Sequence, residues 1–119
     1  MFTLTTAYDI RRVAIVLTGF WDAGTMLKFE GEIIAALSSL KAIGGAKACL
    51  VDASLYPVQS PEITARHQHL LASLGDLAAE RIAMVVPGQL VRRQAGRAAG
   101  VMQHQMFGSR EEALQWLDG

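Results

Sequence analysis

Residues 13–52 read VAIVLTGFWDAGTMLKFEGEIIAALSSLKAIGGAKACLVD and contain two apolar runs on either side of an amphipathic segment. The first run, Val13–Leu17, is rich in β-branched residues and predicts a buried strand. Within Met26–Ile43 the apolar residues recur every three or four positions, as they do on the buried face of a helix. The second run, Ala48–Val51, predicts another buried strand, which ends at Asp52. A strand, a helix and a strand in this order indicate a right-handed crossover between parallel strands.

The same alternation continues towards both ends of the chain. Phe2–Thr5 alternates apolar and polar residues, and the short connection that follows it favours an antiparallel hairpin with the next strand. Further elements are predicted after Asp52: a helix that begins at Ser60-Pro61-Glu62 and ends at Gly75, a strand at Ile82–Val86, a helix at Gln89–Ala99, a strand at Met102–Phe107 and a last helix capped by Ser109. The predicted order is β-β-α-β-α-β-α-β-α. It describes one α/β domain, residues 1–119, with a mainly parallel five-stranded sheet whose first strand is antiparallel.

Composition narrows the class of protein. The 119 residues carry 11 Lys+Arg and 11 Asp+Glu, and this balance argues against a general nucleic-acid binder. The one cysteine, Cys49, excludes an internal disulfide and a multi-thiolate zinc site. The first ten residues do not resemble a signal peptide, and no apolar run approaches the roughly 18 residues that cross a bilayer. We therefore expect a cytoplasmic protein with no membrane span.

The pattern of nucleophiles and bases does not predict catalysis. Cys49 lies inside an apolar run without a neighbouring base, where burial raises the pKa of a thiol. His67 and His69 point about 200° apart on a helix and cannot hold one metal ion together. His67 lies on the apolar stripe, so we expect a hydrogen-bonded histidine in the core or at its edge. The chain contains no nucleophile elbow, phosphate-binding loop or dinucleotide fingerprint. We expect no enzyme activity, no metal site and no cofactor.

Three polar residues follow the central predicted strand and leave two interpretations open. Asp52 and Ser54 would stand at the edge of the sheet where ligands bind to open α/β folds. Alternatively, they fix the turn by accepting and donating hydrogen bonds within the loop. Ser60 could accept a phosphate, because a helix amino terminus favours an anion, or it could serve only as the helix cap.

The basic residues are unevenly distributed. No acidic residue separates the arginines at positions 81, 92, 93, 97 and 110. Arg92, Arg93 and Arg97 could form a patch that binds an anionic partner such as an acidic protein surface, a phosphorylated group or a lipid headgroup. The alternative is a solvated helix face whose arginines pair with acids elsewhere in the chain.

Aromatic residues near the same edge allow one more kind of site. Phe20, Trp21 and Tyr56, with Leu55 and Met102 or Met106, could line a pocket for a small apolar or lipid-like ligand. Ordinary packing in the core or at a subunit interface accounts for the same residues. A homodimer is also compatible with a short chain that has exposed sheet edges.

Six segments together resemble a known superfamily. They are LTGFW at 17–21, LVDAS at 50–54, VQSPE at 58–62, RIAMVV at 81–86, RQAGR at 93–97 and EALQWL at 112–117. In order and spacing they resemble the STAS superfamily, whose founding members are anti-sigma factor antagonists. More narrowly, they resemble small bacterial stand-alone domains grouped with STAS and CRAL-TRIO type lipid-transfer modules.

The resemblance implies a single progression of strands and helices, with no catalytic machinery. In anti-sigma factor antagonists a partner kinase phosphorylates a serine at the start of the helix after the third strand. Ser60 corresponds to that position, but Gln59 and Pro61 replace the flanking residues of the family's segment. The leading hypothesis is a non-enzymatic regulatory domain that presents residues 52–60 and the Arg93/Arg97 face to an unknown protein partner. The alternative is a carrier or sensor of a small apolar or lipid-like ligand.

Overall fold

The computed structural model of the protein describes residues 1–86 and 104–119. Within these residues five strands form one sheet: β1 Phe2–Ala7, β2 Arg12–Thr18, β3 Ala48–Leu55, β4 Arg81–Val85 and β5 His104–Phe107. The strands lie side by side in chain order. β1 is antiparallel to β2, and every other neighbouring pair is parallel. The predicted α/β class, with its antiparallel first strand, is confirmed.

The described residues also contain three α-helices, each with a side-chain cap. They are α1 Ala23–Lys41, α2 Pro61–Ser73 and α3 Arg110–Asp118, and a short 3-10 turn, Gly75–Leu77, follows α2. The caps are Asp22, Ser60 and Ser109, which accept hydrogen bonds from backbone amides three residues further on. The predicted helix Gln89–Ala99, with Arg92, Arg93 and Arg97, lies outside the described residues, as do the first two residues of the strand predicted at Met102–Phe107.

The helices pack on both faces of the sheet. β2, β3 and β4 are neighbours in that order, and α1 and α2 are the connections between them. Because crossovers between parallel strands are right-handed, both helices lie on the same face of the sheet. There they bury the larger core, which includes Leu17, Met26 and Leu70. On the other face α3 packs through Ala113 against Leu50, Ala83 and Val85. None of the helices in the described ranges is long and apolar enough to cross a membrane.

The third strand is longer than predicted. The sequence predicts an end at Asp52, whereas β3 continues to Leu55 and pairs there with Thr18 of β2. The reason is the two-residue period of a strand: Ala53 is buried against the larger core, and Asp52 and Ser54 alternate with it. The two polar residues therefore belong to the strand and not to a loop that follows it.

Candidate functional site

Gln59 ties together the segments that follow β2 and β3. Its buried side-chain oxygen accepts a hydrogen bond from the backbone amide of Trp21 at 2.8 Å. Its side-chain nitrogen donates to the carbonyl oxygens of Gly19 at 2.9 Å and Pro57 at 3.0 Å. One side chain thus satisfies three backbone groups and fixes the two segments relative to each other. No local sequence pattern marks Gln59 as such a residue, because Gly19 and Trp21, which it joins to its own segment, are distant in the chain.

An exposed apolar patch lies on these two segments. Phe20 is 80% exposed, Leu55 74% and Val58 40%. The backbone segments that carry these residues are held together because Leu55 pairs with Thr18 and because Gln59 binds the residues on both sides of Phe20. We call Phe20, Leu55 and Val58 the edge patch. Large apolar side chains exposed together are typical of a surface that contacts another molecule.

Ser60 lies immediately after the edge patch and is exposed. Its hydroxyl oxygen accepts a hydrogen bond from the backbone amide of Ile63 at 3.2 Å, and Pro61 occupies the first position of α2. The capping interpretation of Ser60 is therefore confirmed. The hydroxyl thus lies at the positive end of the helix, on a residue that is exposed.

Asp52 and Ser54 form a separate polar cluster. One carboxylate oxygen of Asp52 accepts hydrogen bonds from the Ser54 amide at 3.1 Å and hydroxyl at 2.6 Å, and the other oxygen lies 3.4 Å from the Arg110 guanidinium. Desolvation opposes ionisation of Asp52, but the Ser54 hydrogen bonds and the Arg110 charge outweigh it and lower the pKa of the carboxyl. Because Arg110 begins α3 and Ser60 precedes α2, the three candidate residues are divided between the two faces of the sheet.

Arg81 and Arg110, the first and last arginines of the stretch without acidic residues, make contacts that hold α3 on the sheet. The Arg81 guanidinium lies 5.1 Å from the centre of the Trp116 ring and donates a hydrogen bond to the Trp116 carbonyl oxygen at 3.0 Å. Arg110 pairs with Asp52. The expected pairing with an acid is thus found for Arg110, whereas Arg81 contacts Trp116. The anionic-partner patch at Arg92, Arg93 and Arg97 stays a prediction.

The aromatic residues proposed to line one pocket lie in different environments. Phe20 faces solvent, whereas Trp21 and Tyr56 are buried, with ring centres 5.3 Å apart. The Tyr56 hydroxyl lies 2.9 Å from Nε2 of His67, which confirms the expected hydrogen-bonded histidine. Burial lowers the pKa of His67 to about 4 and raises that of Tyr56, so both side chains are neutral at pH 7.

A cavity of about 130 Å³ lies between the sheet and helices α1 and α2. Tyr56 lines it, whereas Phe20 and Trp21 do not. Cys49 also faces the cavity, and burial raises the pKa of its thiol to about 12. A thiol that stays protonated at neutral pH is a poor nucleophile, as the position of Cys49 within an apolar run predicts.

Comparison with solved structures shows that this is a STAS-like fold, the fold of the anti-sigma factor antagonist SpoIIAA. Unphosphorylated SpoIIAA superimposes with a TM-score of 0.68 at 17% identity, covering 100% of this chain and 99% of that one. An uncharacterised DUF3478-family protein from Shewanella loihica with a SpoIIAA-like fold gives 0.72 at 18% identity, with 98% and 92% coverage.

An anti-sigma factor antagonist from Mycobacterium paratuberculosis gives a TM-score of 0.65 at 16% identity, with 100% and 96% coverage. No family model matches the chain, and no curated protein sequence is significantly similar to it. The likeness therefore concerns the fold, over the full length of the chain.

Proposed function

We propose that the protein is a non-enzymatic regulatory domain that binds a protein partner through the edge patch. The observation that carries the proposal is that exposed apolar side chains stand on a fixed backbone. Phe20 and Leu55 are among the most exposed apolar side chains of the described residues, yet both stand on a fixed backbone: Gln59 binds the residues on either side of Phe20, and Leu55 pairs with Thr18. A fixed apolar surface loses little conformational entropy when a partner covers it, which favours binding.

The fold supports the same proposal. Two of the solved proteins that share it are anti-sigma factor antagonists, which are named for an action on another protein. Residues 104–119 and 1–86 contain no group of three or more histidine, cysteine or acidic side chains placed to hold a metal ion. Recognition through surface contacts needs no such group.

Ser60 gives this surface a means of control. SpoIIAA has been solved in unphosphorylated and phosphorylated forms. Ser60 is exposed and its hydroxyl lies at the amino terminus of α2, where the free amides and the helix dipole favour a phosphate group. A phosphate there adds about −1.5 to −2 charges next to Val58. The added charge opposes an apolar contact at the edge patch, so phosphorylation at Ser60 releases the partner.

The test compares two apolar patches on the same protein. The double variant Phe20→Asp, Leu55→Asp places two charges in the edge patch. The matched control is Ile10→Asp, Ile43→Asp. Ile10 lies between β1 and β2 and is 49% exposed, and Ile43 follows α1 and is 51% exposed. Each tagged variant is used for affinity capture with quantitative mass spectrometry, after circular dichroism has shown it to be folded.

We expect the edge-patch variant to lose a protein that the wild type and the control variant both retain. Loss from both variants, or retention by both, contradicts the proposed surface. Charge reversal at Arg93 and Arg97, tested in the same way, determines whether the predicted arginine patch belongs to the contact.

A further inference from the structure

The cavity between the sheet and helices α1 and α2 is large for a protein of this size. Protein interiors are packed as closely as organic crystals and contain few voids larger than a water molecule. The volume of about 130 Å³ is close to the ~150 Å³ of an engineered apolar cavity that stays dry and binds benzene. The space is therefore sufficient for one small ring or a short aliphatic chain.

The chemistry of the wall restricts what can enter. Most of the lining is aliphatic or aromatic, for example Leu17, Phe29, Ile33, Leu70 and Met84. Among the described residues that line the cavity, none is acidic and none is a lysine or an arginine. Burying an ionised ligand without an opposite charge is very costly. The described lining therefore favours a neutral occupant.

The polar side chains among the described lining residues are Cys49, Tyr56, Gln59, Thr64 and His67, and they allow only a few hydrogen bonds. Both polar atoms of the Gln59 side chain already bind backbone groups. Tyr56 and His67 bind each other, and each retains some capacity: a phenol oxygen has two lone pairs, and a neutral imidazole has a second ring nitrogen. This pair can satisfy one hydroxyl or N–H group on an otherwise apolar molecule.

We propose that this cavity is a binding site for a neutral molecule about the size of benzene or phenol, with at most one hydrogen-bonding group directed to the Tyr56–His67 pair. This site is distinct from the edge patch and goes beyond the proposed protein contact. The cavity is nevertheless adjacent to the edge patch, because Tyr56 and Gln59 line the cavity and belong to the segment that leads to Ser60. An occupied cavity therefore stiffens the segment that carries the candidate control residue.

Toluene, phenol and benzoate are suitable probes, because they share one ring and differ in polarity and charge. Each is titrated into the wild-type protein while amide resonances are followed by NMR and the melting temperature is measured. We expect toluene and phenol to shift the resonances of Tyr56, His67 and Leu70 with saturation and to raise the melting temperature. Benzoate should show neither effect, and the resonance of Leu114 in α3, on the opposite face of the sheet, should not shift with any of the three probes. If neither toluene nor phenol binds with saturation below its solubility limit, the proposal is wrong.

Two alanine substitutions locate the binding. Ala53 lines the cavity, whereas Ala83 is buried on the face covered by α3. Ala53→Leu fills part of the cavity and should weaken toluene binding by about tenfold or more, whereas Ala83→Leu should change it less than about twofold. Wild-type affinity in Ala53→Leu shows that toluene binds elsewhere and overturns the proposal.

A second filling variant covers the case in which Ala53→Leu does not fold. Leu74→Phe adds volume at another point of the wall, and we expect the same loss of toluene binding. Unchanged affinity in that variant also overturns the proposal. These measurements use no protein partner, so their outcome is independent of the affinity-capture experiment.

Discussion

The hydroxyl oxygen of Tyr56 lies 2.9 Å from Nε2 of His67, and this contact joins the segment after β3 to the middle of α2. Burial keeps both side chains neutral. The protonation of His67 is therefore coupled to folding.

The stability of the protein should fall between pH 6.5 and pH 4 because of His67. In the unfolded chain the histidine takes up a proton near its ordinary pKa of 6.5, whereas in the folded protein burial lowers that pKa to about 4. Protonation thus favours the unfolded state as the pH falls, and the contribution is complete above pH 6.5. The total loss is about 3 kcal/mol, at ~1.4 kcal/mol for each pKa unit. Urea unfolding at several pH values measures it.

His69 provides the control for this prediction, because it is exposed on the same helix. His67→Gln should flatten the dependence of unfolding free energy on pH in that range, and His69→Gln should leave it unchanged. An equal slope in the wild type and His67→Gln would show that other groups govern the acid sensitivity.

Replacing Gln59 by Ala should destabilise the protein by about 3 kcal/mol, because the Trp21 amide and two carbonyl oxygens lose their partner. Gln68 is an exposed glutamine on α2, and Gln68→Ala should have almost no effect. Denaturant unfolding of the two variants makes the comparison. A small loss for Gln59→Ala would mean that water replaces the side chain without cost.

Ser60→Ala should lower the unfolding free energy by about 1 kcal/mol, because the hydroxyl that caps α2 is lost. Ser60→Asp keeps an acceptor at the cap and should retain the stability. If Ser60 also controls partner binding, Ser60→Asp captures less partner than Ser60→Ala does. Equal capture by the two variants, measured at a temperature where both are folded, contradicts a regulatory role.

The Asp52–Arg110 ion pair should contribute little to stability. The Arg110 side chain is 49% exposed and that of Asp52 is 17% exposed, so water and salt screen their attraction. Arg110→Ala should cost less than about 1 kcal/mol, and the cost should vanish in high salt. Asp52→Ala should cost more in both conditions, since both Ser54 donors lose their acceptor. Thermal melts at low and high salt distinguish the two effects.

The two faces of the sheet should differ in their tolerance of added volume. Ala83→Leu inserts atoms into the close-packed core beneath α3 and should destabilise the protein by about 1–3 kcal/mol. Ala53→Leu extends into the cavity and should be neutral or stabilising. Equal destabilisation by both substitutions would show that the cavity cannot accept a side chain.

Local patterns in the sequence were sufficient for most of the fold. The β-branched run at Val13–Leu17 and the stripe of apolar residues in Met26–Ile43 indicate their elements directly, because strand and helix periods differ. Ser60-Pro61-Glu62 also predicts the start of α2 correctly, since the capping interaction involves neighbouring residues.

The candidate site was harder to predict, because it depends on contacts between distant residues. Nothing near Gln59 shows that it binds the segment after β2, and nothing near Phe20 shows that it faces solvent while Trp21 does not. Asp52 looked like the end of a strand because the partner that accommodates it, Arg110, lies far along the chain. The cavity depends on the volumes of side chains from several elements, which no local pattern contains.

The position of α3 has a consequence for synthesis of the chain. On its face of the sheet, α3 covers Leu50, Ala83 and Val85, which all precede it in sequence. During translation the strands leave the ribosome before α3 does, so a nascent chain with a formed sheet displays this apolar surface until residues 110–118 have emerged. In that interval the growing polypeptide is most exposed to aggregation and to capture by chaperones.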